Sequence, residues 1–160
     1  MLKPIQAKTF QARDARFAIV ASEYNARYVN AMVRAAKAVF KRAGVKELQI
    51  IRVPGAYEIP IVAASLATMV LPDSPRLAAV VCLGVILRGE TVHAAHIGEA
   101  VSEALMRIQL QYQVPIIHEV LLLENEAQAR VRCLGKQHNR GAEAAQTALA
   151  MARVMKDLRS

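Results

Sequence analysis

The sequence contains no tryptophan, and three phenylalanines and four tyrosines are all of its aromatic residues. This scarcity bears on the formal net charge of +8, because proteins that hold single-stranded nucleic acids interleave aromatic rings with their basic side chains. Here the Lys and Arg residues are spread over predicted helix surfaces without such rings. The composition therefore argues against a nucleic-acid partner and leaves anionic small molecules or simple solubility as reasons for the charge.

Cysteine is also scarce, since only Cys82 and Cys133 occur and they lie far apart. Neither has a second cysteine at the short spacing typical of a zinc site, and two cysteines cannot build the disulfide framework of a small secreted domain. We therefore predict two free thiols.

A long apolar run is missing as well. The longest, residues 59–71, is interrupted by Pro60 and falls short of the roughly 20 residues that a bilayer span requires. Residues 1–14 mix basic and polar side chains without the apolar centre of a signal peptide. These absences predict a cytoplasmic protein without membrane contact. The length and the lack of a linker predict a single domain, 15–160, after an N-terminal arm, 1–14. The hydrophobic content of 54% favours buried interfaces between subunits.

The pattern of apolar residues predicts alternating strands and helices. Buried parallel strands are expected at residues 17–22, 48–53, 77–83 and 114–123. Helical patterns lie between them, the clearest being a stripe from Val29 to Phe40 that ends at Gly44. Two more helices, at about 126–134 and 141–158, follow the last strand. This order predicts an α/β fold, a flavodoxin-like three-layer αβα sandwich with a four-stranded parallel sheet.

Polar residues follow the first three predicted strands, and ligands of open parallel sheets bind beyond the carboxyl ends of the strands. After the third strand, Gly89 permits close approach of a ligand, and Glu90 and Thr91 are predicted to open a helix whose N–H groups favour an anion. A capped helix start after a glycine turn is the alternative. The segment is not a nucleotide-binding P-loop, because Glu90 stands where the lysine belongs.

His93 follows this proposed anion site and is the best acid–base candidate, because an imidazole gives and takes protons near neutrality. His96 and Glu99 continue at a spacing that permits metal ligands on one helix face. Without any further ligand set, we favour a structural His96 and predict no metal.

Tyr24, after the first strand, is a candidate for stacking on a flat heterocycle. After the second strand, backbone groups of Ala56 and Tyr57 and the side chain of Glu58 are candidates for reading polar edges. The alternatives are that Tyr24 covers the core and that Glu58 caps the following helix. Their common location at one sheet edge favours a binding site.

Three segments, 53–60, 83–93 and 139–145, carry a resemblance that extends over about 16–158. They read VPGAYEIP, LGVILRGETVH and NRGAEAA, and in this order the chain resembles the 6,7-dimethyl-8-ribityllumazine synthase family. The resemblance implies a transferase that condenses 5-amino-6-(D-ribitylamino)uracil with 3,4-dihydroxy-2-butanone 4-phosphate, releasing phosphate and water, in the penultimate step of riboflavin biosynthesis. It implies that no cofactor or metal takes part.

The resemblance also implies roles for individual residues. His93 would move protons, and Arg132, reaching in from a neighbouring subunit, would bind the phosphate. Contacts with the pyrimidine and ribityl chain are implied for Tyr24, Ala56, Tyr57, Glu58, Val85, Ile86, Leu87 and His118; contacts with the keto-phosphate are implied for Glu90, Thr91, Arg132 and Lys136.

The resemblance further implies a homopentamer with active sites between subunits, either alone or assembled twelvefold into an icosahedral shell. The N-terminal segment would add to a neighbour's sheet, and riboflavin synthase would be a further partner. The chain departs from the family pattern at His118, where phenylalanine is common, at Ala95, where an acidic residue is common, and at Tyr24, where Phe or Trp is usual. A non-catalytic flavin- or pterin-binding or shell-forming homologue is the alternative. The combination of Glu90, Thr91, His93 and Arg132 favours the enzyme.

Overall fold

The computed structural model describes residues 12–160, so the predicted arm and its pairing with a neighbouring sheet lie almost wholly outside the described residues. The described chain alternates parallel strands with helices. The strands are β1 (Arg16–Ser22), β2 (Glu47–Val53), β3 (Leu77–Leu87) and β4 (Ile116–Leu123). The helices are α1 (Ala26–Arg42), α2 (Ile59–Thr68), α3 (His93–Tyr112), α4 (Glu126–Cys133) and α5 (Arg140–Arg159), with a short 3₁₀ turn at Ala56–Glu58.

The sheet order is β2-β1-β3-β4, and every pairing is parallel. Helices cover both faces, and each face has its own apolar core. Phe17 and Ile19 of β1 pack toward α1 and α5, whereas Val20 packs toward α2 and α3. Because the central strands are buried on both faces, they read as continuous apolar runs and not as an alternation. The predicted three-layer αβα sandwich is confirmed.

Close packing of α1 on α5 explains part of the 139–145 segment. Asn139 caps α5, since its Oδ1 accepts hydrogen bonds from the N–H groups of Gly141, at 2.9 Å, and Ala142, at 3.4 Å. A Cβ atom on Gly141 would collide with the backbone of Met32 in α1. The absence of a side chain at position 141 is therefore a packing requirement of the fold.

The prediction that β3 ends at residue 83 is wrong, because the strand continues to Leu87. The register runs on from the Gly84–Val120 pair to the Leu87–Leu123 pair, so β4 supplies hydrogen-bond partners beyond the point where β1 has ended. Val85, Ile86 and Leu87 therefore stand on a strand and not in a loop. Among residues 12–160, no helix has the length and apolar character that crossing a membrane would need.

Candidate active site

A cleft of about 720 Å³ lies at the carboxyl ends of β1, β2 and β3. It brings together most of the side chains that the sequence placed at one sheet edge. Its lining consists of Tyr24, Asn25, Gly55, Ala56, Tyr57, Glu58, Val85, Ile86, Leu87, His93, His96, Ile97 and Ala100. Three strand ends and the first two turns of α3 thus form one concave surface with mainly apolar walls.

Tyr24 forms one wall, and 72% of its surface is exposed. The alternative that it covers the core is wrong. Its backbone N–H donates to the carbonyl of Pro54 at 3.2 Å, which holds the turn after β1 against the turn after β2. A Cβ atom on Gly55 would lie 2.9 Å from a carboxylate oxygen of Glu58 and 3.2 Å from the Tyr24 ring. Glycine at position 55 therefore leaves room for both of these side chains.

The Glu58 side chain caps the 3₁₀ turn and makes no capping hydrogen bond to α2 within the described residues, so the alternative that it caps the following helix is wrong. Its Oε2 accepts a hydrogen bond of 2.8 Å from the N–H of Gly55, across the 3₁₀ turn that leads into α2. The carboxylate is exposed and still lines the cleft. Since a carboxylate has four lone-pair positions, one backbone contact leaves it able to accept hydrogen bonds from a ligand.

Asn25 is a cleft residue that the sequence reasoning did not assign. Its backbone adopts the left-handed conformation, φ 56° and ψ 41°, and its Nδ2 donates to the carbonyl oxygen of Val85 at 2.7 Å. The side chain thereby ties the start of α1 to the end of β3. An asparagine directly after a strand is the available signal, because asparagine tolerates this conformation better than most residues.

His93 is the first residue of α3, is exposed, and lines the cleft. Its ring makes no hydrogen bond with any residue in the described part of the chain, so both ring nitrogens are free for a bound molecule. His96 lines the cleft one turn further on. No group of three His, Cys, Asp or Glu side chains within residues 12–160 is arranged to hold a metal ion.

Glu90 and Thr91 do not open the helix, which corrects the prediction. Both are exposed in the loop before α3 and neither lines the cleft. The Oγ1 of Thr91 accepts a long hydrogen bond of 3.4 Å from the N–H of His93, a contact typical of a residue that precedes the first helical turn. At Gly89 an added Cβ atom would meet no atom of the described residues within 4 Å.

His118 lies on β4, outside this cleft. Its Nδ1 accepts a hydrogen bond of 3.2 Å from the N–H of Val120, so the ring proton belongs on Nε2, which lies 2.7 Å from the Oγ of Ser102. The hydroxyl of Ser102 donates in turn to the carbonyl of Gly98 at 2.8 Å. Partial burial lowers the pKa of His118 below its ordinary value of 6.5. These contacts hold the imidazole neutral and make it a poor base for the serine.

Arg132 and Lys136 are also separate from His93 within one chain. Arg132 lines a second pocket of about 340 Å³, together with Ala127, Gln128, Val131, His138, Arg140 and Glu143. Its side chain forms no ion pair with any residue from 12 to 160. Lys136 is exposed and lines neither pocket. Among residues 12–160, no Lys or Arg lines the cleft, so this part of the chain gives it no fixed positive charge.

A buried carboxylate stands beside the second pocket. Glu119 of β4 is only 9% exposed, and its Oε2 lies 3.1 Å from Nε of Arg140, whose Nη1 is 2.7 Å from Glu143. Burial raises the pKa of Glu119 to about 7, although the Arg140 charge partly opposes this. Burial also raises the pKa of the nearby Cys133 thiol to about 11. The sequence reasoning missed Glu119, whose signal is a single acidic residue within an apolar strand.

Comparison with known proteins agrees with this architecture. Residues 14–156 match the family model described as 6,7-dimethyl-8-ribityllumazine synthase. The chain is 40% identical over 147 residues to a 6,7-dimethyl-8-ribityllumazine synthase of Stenotrophomonas maltophilia strain R551-3, covering 91% of this chain and 92% of the relative. It is 39% identical over 143 residues to the enzyme of that name from Xanthomonas euvesicatoria pv. vesicatoria strain 85-10, covering 88% and 90%. The chain therefore belongs to the 6,7-dimethyl-8-ribityllumazine synthase family, transferases of riboflavin biosynthesis that act on small molecules and assemble as homo-oligomers.

Proposed function

We propose that this chain condenses 5-amino-6-(D-ribitylamino)uracil with 3,4-dihydroxy-2-butanone 4-phosphate in the cleft beyond β1, β2 and β3, and that His93 is its acid–base catalyst. The observation that carries this proposal is an exposed imidazole at the start of α3, free of protein partners in the described chain and inside the cleft. Imine formation, phosphate loss and ring closure each require a proton to move, and one free imidazole can both donate and accept it.

The pyrimidine is proposed to stack on Tyr24, whose exposed ring forms a flat apolar wall. Polar edges of the heterocycle are then within reach of the Ala56–Tyr57 backbone and of the Glu58 carboxylate. The ribityl chain is proposed to lie along Val85, Ile86 and Leu87 at the end of β3, since all of these residues line the cleft. Fixing both reactants in one cleft converts a bimolecular condensation into an effectively intramolecular one.

The phosphate needs a positive charge, which no cleft-lining residue of the described chain supplies. We assign this charge to Arg132 of a neighbouring subunit, because this guanidinium is exposed and has no ion-pair partner in residues 12–160. Glu90, Thr91 and Lys136 are proposed to complete the keto-phosphate site, and His118 to flank the heterocycle from the neighbour. A pentamer, alone or within an icosahedral shell, is the assembly proposed, with riboflavin synthase as a further partner.

Exposed apolar side chains support such an interface: Tyr57 lines the cleft, and Ile61 and Val92 follow or precede cleft-lining residues in the chain. Tyr57, Ile61 and Val92 are 65%, 71% and 67% exposed, which is unfavourable for large apolar groups unless a partner covers them. A second copy that covers these side chains would also close the cleft.

Turnover of the two substrates tests the catalytic assignment. Lumazine absorbance and released phosphate are followed for the parent, for His93→Ala and for His96→Ala, which removes a neighbouring imidazole in the same cleft. We expect His93→Ala to lower kcat by about 100-fold or more, the usual contribution of a general acid–base group, while its KM changes little. The loss in His96→Ala should be much smaller. Equal rates for parent and His93→Ala would contradict the role, and tight flavin binding without turnover would favour a non-catalytic protein.

Mixed oligomers test the shared site. His93→Ala and Arg132→Ala are each expected to be nearly inactive. When the two variants are unfolded and refolded together, about one quarter of the intersubunit sites should receive an intact His93 and an intact Arg132, and activity should return in that proportion. Without any recovery in oligomers of native size, the two residues would have to act in the same chain.

A further inference from the structure

The second pocket contains a charge arrangement to which no role has yet been given. Arg140 lies between two carboxylates that come from different elements, Glu119 of β4 and Glu143 of α5. Glu119 engages Nε and Glu143 engages Nη1, so the guanidinium is held on two sides. Such a double contact fixes the orientation of a planar guanidinium better than a single ion pair can.

The neighbouring Arg132 differs from Arg140 in this respect. Both arginines line the pocket, but Arg132 has no ion pair with the described residues. Arg140 is thus committed to carboxylates, whereas Arg132 is available to an anion. The charge that an anion meets in this pocket depends on whether the nearby carboxylates are ionised.

Few other titratable groups face Glu119. From α5 these are Arg140 and Glu143, and from α4 they are Arg132 and the Cys133 thiol. Because burial raises the pKa of this thiol to about 11, it stays neutral at ordinary pH. His138 lines the same pocket from the loop between α4 and α5. The charges of the two arginines and of the two ionised carboxylates sum to zero. When Glu119 is protonated, the group has one net positive charge.

We propose that Glu119 is a positioning residue of the second pocket, which orients Arg140 and sets by its own protonation how strongly a dianion is held beside Arg132. Burial between β4, α4 and α5 raises the pKa of this carboxyl to about 7, so its protonation state changes within the physiological pH range. A phosphate-like dianion binds more tightly when Glu119 is protonated, and its binding weakens as Glu119 ionises. The inference rests on the proposed function only in taking the natural anion to be the phosphate of the keto-phosphate.

Sulfate is the probe for this test, because its charge stays at −2 from pH 6 to pH 8 whereas inorganic phosphate titrates there. Sulfate binding to the intact oligomer is measured by calorimetry at constant ionic strength. The parent, Glu119→Gln and Glu103→Gln are compared; the last removes the same charge from an exposed i,i+4 pair with Arg107 on α3. We expect the Kd of the parent to rise about fivefold between pH 6 and pH 8, the scale of one partly screened charge near a dianion.

Glu119→Gln should bind sulfate at pH 8 about as tightly as the parent does at pH 6, with most of the pH dependence lost. The other ionisable groups around the anion are the same in every variant, so the difference in pH dependence between the parent and Glu119→Gln isolates the effect of Glu119. Glu103→Gln should follow the parent. A parent slope retained in Glu119→Gln, or parent Kd values that do not change with pH, would overturn the proposal. So would an equal weakening at both pH values, because that is the signature of a merely structural residue.

A substitute variant and the turnover assay keep the test decisive. If Glu119→Gln does not fold, Glu119→Leu provides an uncharged substitute; the same loss of pH dependence is expected, together with weaker binding at both pH values because Arg140 loses its contact with position 119. Sulfate binding requires no turnover, so its failure is separable from that of the proposed function. A chain that condenses both substrates but binds sulfate without pH dependence rejects the role of Glu119 alone, and the reverse result rejects the catalytic assignment alone.

Discussion

Asn25 joins two strand ends of the cleft, and its replacement offers a test with a magnitude that follows from the structure. The side chain contributes the hydrogen bond from Nδ2 to the carbonyl of Val85 at 2.7 Å, and the backbone is left-handed with φ 56°. Loss of one such hydrogen bond costs about 1 kcal/mol. A left-handed backbone costs an alanine roughly 1 kcal/mol more, whereas glycine adopts it without steric penalty.

We therefore expect Asn25→Gly to lower the free energy of unfolding by about 1 kcal/mol and Asn25→Ala to lower it by about 2 kcal/mol. Asn25→Asp keeps the shape of the side chain but replaces the donor by an oxygen that faces the Val85 carbonyl. Its loss should be at least that of alanine at pH 7 and should shrink in acid, when the carboxyl regains a proton that it can donate.

Urea unfolding at a fixed protomer concentration measures these differences, because the stability of an oligomer depends on concentration. If alanine were tolerated as well as glycine, backbone strain at position 25 would not contribute. If aspartate matched the parent at pH 7, the hydrogen bond to Val85 would not contribute either.

Three further predictions concern stability. Burial raises the pKa of Glu119 from 4.5 to about 7, so the folded state retains a proton that the unfolded state loses, and the stabilisation from this group is lost as pH rises from about 4.5 to 7. In urea unfolding, the free energy of unfolding of Glu119→Gln relative to the parent should therefore increase by between about 1 and 3 kcal/mol from pH 5 to pH 8. A difference that stays constant with pH would contradict the shifted pKa. Partial burial lowers the pKa of His118, so the stability that this residue contributes is lost as pH falls below 6.5. His118→Asn should therefore lose less stability than the parent between pH 7 and pH 5. An acid dependence equal to that of the parent would contradict this prediction. Gly141→Ala should lower the free energy of unfolding by about 2 kcal/mol or more, since its Cβ atom would meet the Met32 backbone. Gly89→Ala is the control, because position 89 has open space, and it should change this free energy by less than about 0.5 kcal/mol. Similar values for the two variants would refute the close packing of α1 on α5.

The apolar pattern was sufficient to predict the order of strands and helices and the parallel sheet, because burial on both faces leaves a continuous run that is visible in the sequence. Parallel strands also bring their carboxyl ends to one edge of the sheet. For that reason the sequence predicts Tyr24, Glu58 and His93 at one place, and all of them line one cleft.

Other features depend on contacts between segments that are distant in the chain. The end of β3 is decided by pairing with β4, and the left-handed Asn25 is held by a carbonyl 60 residues away. The buried pair of Glu119 with Arg140 spans 21 residues. The periodicity of a sequence records only which side of an element is buried and not which partner lies opposite. The element order and the meeting of Tyr24, Glu58 and His93 at one sheet edge were therefore contained in the sequence alone. The place of Asn25 in the cleft, the separation of Arg132 from His93 and the ionisation of Glu119 were decided by tertiary packing, which sets distance and desolvation together.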